Sequence, residues 1–274
     1  MVGQQGDGTI SLEIHDKVAV ISISNPLKRN AISGKMMVQF AMIVDTIVPS
    51  IASSNATSCN NLVGIVLLGQ GNEAFCAGAD FSLAKYIVNT SERGVLMAGF
   101  MTDALNRIRQ SGLVSVCVVN GPALGGGAEI TTACDFRLMN HRDNNFIQFV
   151  HAKIGASPGW GGARRLTQIV GRRAALRLCA ASTPMKSADA LQAGFVDDLI
   201  ECDGVDDSDA SHLAAGLAFL RPFTAQPYPG SVRAIKTAVA SVEDCSVEES
   251  KRVEVDMFAQ RWFGPDNQSA LSKK

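Results

Sequence analysis

The stretch that decides the fold is Asn120-Gly121-Pro122-Ala123-Leu124-Gly125-Gly126-Gly127-Ala128-Glu129-Ile130, which follows directly on Val114-Ser115-Val116-Cys117-Val118-Val119. The apolar run is strand-sized and β-branched, and it reads as a strand buried on both faces. Beyond Asn-Gly-Pro the chain must turn, and a helix must begin past the glycines. Glycines at a strand-to-helix junction have two readings. They let backbone approach a ligand and leave the first helical amides free to hold an anion or a developing oxyanion, helped by the helix dipole. Alternatively they only let strand and helix pack closely. A nucleotide loop is not indicated, because the Walker Lys-Ser/Thr and the dinucleotide spacing are both missing.

Upstream, Ile10–Ile14 and Val18–Ile23 with Asp16-Lys17 between them predict a hairpin. Ser33 fits an N-cap for a helix whose apolar residues Met36, Phe40, Ile43, Val44, Ile47 and Ile51 keep the helical period. A buried strand at Leu62–Leu68 leads to the small-residue loop Phe75-Cys76-Ala77-Gly78-Ala79-Asp80, and a helix is expected over about Arg93–Arg109. Taken alone, that loop could be a simple turn. Both loops, however, lie beyond the C-terminal ends of buried strands, where open α/β sheets gather ligands. Phe195–Ile200 reads as the last strand, followed by an acidic link and then helices only. Ser246-Val247-Glu248-Glu249 fits a capping box and Gly264-Pro265 a helix stop. The fold class is therefore α/β, with a core over residues 1–204 and a helical region over 205–274 that is too small to own a core and must pack on something.

Composition bounds the function. With 46% hydrophobic and 19% charged residues the chain can bury a core, and a net charge of -1 gives no global pull toward nucleic acid or anionic lipid. Its apolar runs, such as Ile65–Leu68, are far shorter than the ~18 residues of a membrane span. The seven cysteines are scattered and form no C-x-x-C pair, as buried free thiols in a reducing compartment would. Residues 1–8 resemble neither a secretory signal nor a mitochondrial presequence, so cytosol is expected.

Four motifs in order, Phe75–Asp80, Asn120–Glu129, Cys134-Asp135-Phe136-Arg137 and Pro158-Gly159-Trp160-Gly161-Gly162, resemble those of the crotonase (enoyl-CoA hydratase/isomerase) superfamily. The resemblance runs from the opening hairpin, Asn25-Pro26 and Asn30-Ala31 to the C-terminal helices. It implies a core of repeated β-β-α turns, a C-terminal helical oligomerisation region forming a homotrimer or a dimer of trimers, and an acyl-CoA substrate. No metal and no separate cofactor is implied, coenzyme A being part of the substrate. The same resemblance assigns an oxyanion hole to the backbone amides of Ala79 and Gly126. CoA contacts fall on Lys28, Arg29 and Ala31, with Ala77, Asp80 and Trp160 beside the substrate; Lys28-Arg29 is equally readable as a solvated turn, and Trp160 as core packing.

One departure from the family pattern bears on activity. Hydratases of this superfamily use two glutamates, and here Glu129 fills the first position while His151 stands at the second. That combination resembles the branch that decarboxylates branched malonyl-type thioesters, ethylmalonyl-CoA or methylmalonyl-CoA, as metabolite proofreading in fatty acid metabolism. Glu129 then transfers a proton or orients substrate. His151 either assists it or is a buried structural histidine. The alternatives are a hydratase or isomerase using Glu129 alone, and a non-catalytic acyl-CoA-binding or RNA-associated scaffold. His15, His141 and His212 read as surface residues, and Arg164, Arg165, Arg172, Arg173 and Arg177 as solvated faces or internal ion pairs.

Overall fold

The computed structural model describes residues 6–48, 61–201 and 208–273. The opening hairpin pairs β1 (Thr9–His15) with β2 (Val18–Ser24) antiparallel, and Asp16 takes the left-handed conformation of its tight turn, at φ 51°. Asp and Asn enter that region most readily among non-glycine residues. α1 (Gly34–Ile47) starts at Ser33, whose hydroxyl accepts from Met36 N at 3.3 Å. Such a cap stabilises by about 1 kcal/mol. Ile51, expected as the last apolar residue of this helix, lies outside the described residues.

In chain order the core continues with β3 (Gly64–Gly69), α2 (Phe81–Tyr86), α3 (Ser91–Gln110), β4 (Val114–Val119), β5 (Ala123–Leu124) and α4 (Gly126–Thr131). Next come β6 (Phe136–Asn140), β7 (Phe146–Gln148), α5 (Gly162–Ala180), β8 (Met185–Lys186), α6 (Ser187–Gln192) and β9 (Asp198–Ile200). Phe195 and Val196, expected in the last strand, are buried in the turn ahead of it. A six-stranded sheet runs β1-β2-β3-β4-β6-β9, parallel throughout after the hairpin, and a small sheet runs β5-β7-β8. Parallel bridges from Ile32 to Ala79 and from Cys76 to Ala123 carry the small sheet back through the earlier turns. Each turn thus lays one strand in the large sheet, one short segment in the small sheet, and then a helix. The α/β core of repeated β-β-α turns is the fold this chain adopts.

Buried asparagines fix where successive strands end. Asn120 accepts from Gly69 N at 3.1 Å and donates to Gly69 O at 2.8 Å, while Asn140 donates to Asn120 O at 2.8 Å. Asn30 donates to the carbonyls of Gln70 and Ala74 at 2.9 and 2.8 Å. Buried amide groups that satisfy loop backbone in this way hold the strand-end loops in place.

The C-terminal region is α7 (Asp209–Thr224), α8 (Pro229–Asp244), α9 (Val247–Arg261) and α10 (Pro265–Ser272). α7 covers the outer face of the large sheet, where Leu220 packs with Val66, Val116, Val118 and Leu138. His212, expected at the surface, is buried on this same α7 face, with Nε2 3.5 Å from Asn140 Nδ2. The expected boundary between residues 204 and 205 lies outside the described residues. At α9 the capping box forms, with Glu249 N donating to Ser246 Oγ at 3.3 Å and Ser246 N to Glu249 Oε2 at 2.9 Å. Gly264-Pro265 does more than stop a helix: Gly264 caps α10 and Pro265 opens it, where a missing N–H costs nothing. α9 and α10 bury no residue, and Val255, Phe258, Trp262 and Phe263 stay exposed. Among the described residues no helix is long and apolar enough to cross a membrane.

Candidate active site

The two small-residue loops meet. In the bridge to Ile32, Ile32 N donates to Gly78 O at 2.7 Å and Asp80 N to Ile32 O at 3.0 Å, so both bonds are Ile32's and the Ala79 amide is turned away from it. Gly78 sits at φ 96°, and a Cβ on it would stand 2.8 Å from Leu124 O and 3.2 Å from Gly126 N. Only glycine allows that conformation together with that approach. Gly126 is the first residue of α4, so its amide has no intrahelical acceptor. Cys76 joins the loops: its N donates to Pro122 O at 3.4 Å, its O accepts from Leu124 N at 2.9 Å, and its Sγ accepts from Gly78 N at 3.4 Å. Complete burial pushes the Cys76 thiol up to about 12, so it stays protonated and inert at neutral pH.

α4 projects Glu129 into the segment ahead of α5. The carboxylate is 1% exposed and accepts from Gly159 N at 3.2 Å through Oε1, and from Trp160 N and Gly162 N at 2.8 Å each through Oε2. His151 Nε2 lies 3.0 Å from Oε1. The buried Nδ1 of His151 meets no hydrogen-bond partner among the described residues. Glu129, His151, Gly126 and Trp160 therefore form one cluster; the indole is buried and lies directly over Gly126.

The residue that holds this cluster from behind is Arg165, one of the arginines expected on a solvated face or in an internal ion pair. It is 2% exposed and donates to Thr132 Oγ1 at 2.9 Å, Asn106 Oδ1 at 2.9 Å and Trp160 O at 2.6 Å. Burial lowers its pKa to about 10, so it remains charged at neutral pH. The helical period held a signal for it. Gly162, Arg165 and Leu166 are spaced as neighbours on one helix face, and all three are buried. Of the other arginines in the run, Arg164 pairs with Asp244 at 2.9 Å, and Arg172, Arg173 and Arg177 are exposed.

The residues implied for CoA lie along the zipper between segments 28–32 and 77–80. Arg29 is exposed, and its carbonyl accepts from Ala77 N at 3.0 Å. Ala31 is buried, with its carbonyl accepting from Asn25 Nδ2 at 2.8 Å. Lys28 Nζ donates to Asp80 Oδ2 at 2.7 Å, and Asp80 Oδ1 caps α2 by accepting from Ser82 N at 2.9 Å. Lys28 is thus engaged with another of the expected site residues.

The profile of the enoyl-CoA hydratase/isomerase family matches residues 13–260, and the chain belongs to that family, the crotonases. Its fold is also that of a solved enoyl-CoA hydratase from Bacillus anthracis, with a TM-score of 0.81 at 21% identity, covering 96% of this chain and 94% of that one. Among curated relatives it is 38% identical over 258 residues to ethylmalonyl-CoA decarboxylase of Danio rerio, covering 94% of this chain and 80% of the relative. To ethylmalonyl-CoA decarboxylase of Bos taurus it is 36% identical over 268 residues, covering 97% and 82%.

Proposed function

We propose that this protein is a carboxy-lyase that releases carbon dioxide from a branched malonyl-type acyl-CoA, ethylmalonyl-CoA or methylmalonyl-CoA, as a proofreading step. The observation that carries the reading is that both carboxylates at the site are already committed. Glu129 is held by three amides and His151, and Asp80 by Lys28 and Ser82 N. Hydration needs paired acid and base groups working on one water. Decarboxylation needs no activated water, and the named activity of the relatives supports it.

In this reaction the bond between the α-carbon and the substrate carboxylate breaks, its electron pair moves into the thioester to form an enolate, and carbon dioxide leaves. The amides of Ala79 and Gly126 stabilise the enolate oxygen, and loss of one such donor costs ~3 kcal/mol. A proton then returns to the α-carbon, giving butyryl-CoA from ethylmalonyl-CoA. Glu129 acts as the fixed acceptor that orients His151, and His151, held through Nε2, supplies the proton through its remaining nitrogen. Trp160 walls the acyl group, while Arg29 and the backbone near Ala31 and Ala77 receive coenzyme A.

The exposed apolar residues of α9 and α10 support assembly as a homotrimer or a dimer of trimers. Free buried Cys76, Cys117 and Cys134 support a cytosolic location.

The test is to incubate the purified protein with ethylmalonyl-CoA and, separately, crotonyl-CoA, and to follow the product masses. Loss of carbon dioxide from the first without hydration of the second is expected. Hydration without decarboxylation would overturn the proposal, and inertness toward both would favour a scaffold.

A further inference from the structure

The family resemblance sets Lys28 beside coenzyme A, yet its ammonium is bound to Asp80. Nζ donates to Asp80 Oδ2 at 2.7 Å, with exposed Asp7 a looser second partner at 3.6 Å. Asp80 is 6% exposed and adjoins Ala79 directly. Backbone bonds already zip segment 29–32 to segment 77–80, and the Lys28–Asp80 pair closes the same zipper from the side chains. We propose that Lys28 is a positioning residue: by holding Asp80 it fixes the neighbouring Ala79 amide and cancels a negative charge that would oppose an oxyanion forming there. This rests on the reading of Ala79 as an oxyanion donor.

Removing Lys28 leaves Asp80 buried with only the backbone and side chain of Ser82 to bind it. Burial is the largest influence and acts to raise the Asp80 pKa; the hydrogen bonds from Lys28 and Ser82, with the charge of Lys28, together outweigh it and hold the carboxyl below the usual carboxylate value. An uncompensated Asp80 must either take up a proton or move outward, and both disturb the first turn of α2 and the adjacent amide.

Lys28→Met and the double variant Lys28→Met/Asp80→Asn separate the roles, because asparagine keeps the cap on Ser82 N. Lys28→Met is expected to lower kcat for carbon dioxide release about 10- to 100-fold, with KM and the dissociation constant of free CoA unchanged. The double variant is expected to regain most of that loss. A raised KM and weakened CoA binding at unchanged kcat would overturn the proposal and make Lys28 a phosphate ligand; unaltered kinetics would overturn it too. A double variant no better than Lys28→Met would overturn the charge-cancelling role. Carboxyl carbon NMR provides a readout independent of turnover: Asp80 titrates below the usual carboxylate value in the wild type and moves up in Lys28→Met. If the wild type releases no carbon dioxide, the functional reading fails, while an Asp80 that titrates normally in the wild type sinks the pairing itself.

Discussion

Trp160 fills the space that a side chain on Gly126 would need: a Cβ there would stand 2.7 Å from Cη2 of the indole. Carbon atoms pack at about 3.5–4.0 Å, so Gly126→Ala must push the ring aside, and with it the Trp160 amide that binds Glu129. Turnover is expected to fall about 100-fold and stability by about 1–3 kcal/mol. Adding Trp160→Leu should relieve the clash and restore the melting temperature without restoring turnover. Kinetics and thermal melts check both, and full activity in Gly126→Ala would refute the role of the ring.

Glu129→Gln places an NH2 group where an oxygen now receives N–H donors. Whichever way the amide turns, a donor faces a donor, either at Gly159 N or at Trp160 N and Gly162 N. A loss of about 1–3 kcal/mol in urea unfolding is expected, with turnover down about 100-fold or more. Unchanged single-turnover release of carbon dioxide would remove Glu129 from the chemistry.

Arg165→Lys keeps the charge but not the planar fork that reaches Thr132, Asn106 and Trp160 together. We expect a destabilisation of about 3 kcal/mol. Turnover should fall with KM little changed, because the segment carrying Trp160 and Gly162 loosens around Glu129. Urea melts alongside kcat and KM decide it; stability within experimental scatter of the wild type would show the fork to be dispensable.

Cys76 makes alkaline stability informative. Burial pushes its thiol from an ordinary 9.0 to about 12, so between those values the unfolded chain loses a proton that the folded chain keeps. This contribution is therefore fully present below pH 9.0 and is lost as pH rises toward about 12. From pH 8 to pH 10 the wild type should lose about 1.4 kcal/mol through this group. Cys117 is also buried with a raised pKa, so Cys76→Ser should flatten the decline in part. Identical urea midpoints for wild type and Cys76→Ser at pH 10, after matching at pH 8, would contradict this.

Strands β1 to β4, α1 and the capping box of α9 were legible because their signals are local: β-branched runs, a helical period, and a hydroxyl three residues ahead of its amide; β6, Phe136-Arg137-Leu138-Met139-Asn140, has no β-branched residue and gave no strand signal. The small sheet was not, because β5 and β8 have two residues each and its earlier turns are single bridges, which leave no period to read. His212 could have been placed correctly, since His212, Gly216 and Leu220 are spaced by four and share the buried face of α7. The sequence brought Glu129, His151 and Trp160 forward as site residues. It could not show the nest of amides around Glu129, which belongs to a loop some thirty residues away and is assembled only by the fold.

The covering of the large sheet by α7 sets a timetable for synthesis. Val66, Val116, Val118 and Leu138 are translated long before Leu220, the residue that closes over them, so the outer face of the sheet stays bare until α7 is made. A nascent chain arrested before Asp209 is expected to remain protease-sensitive and to bind holdase chaperones, whereas one released after Thr224 should resist; limited proteolysis of arrested chains measures the difference. α7 thus acts as a late latch on a sheet whose strands were all made earlier.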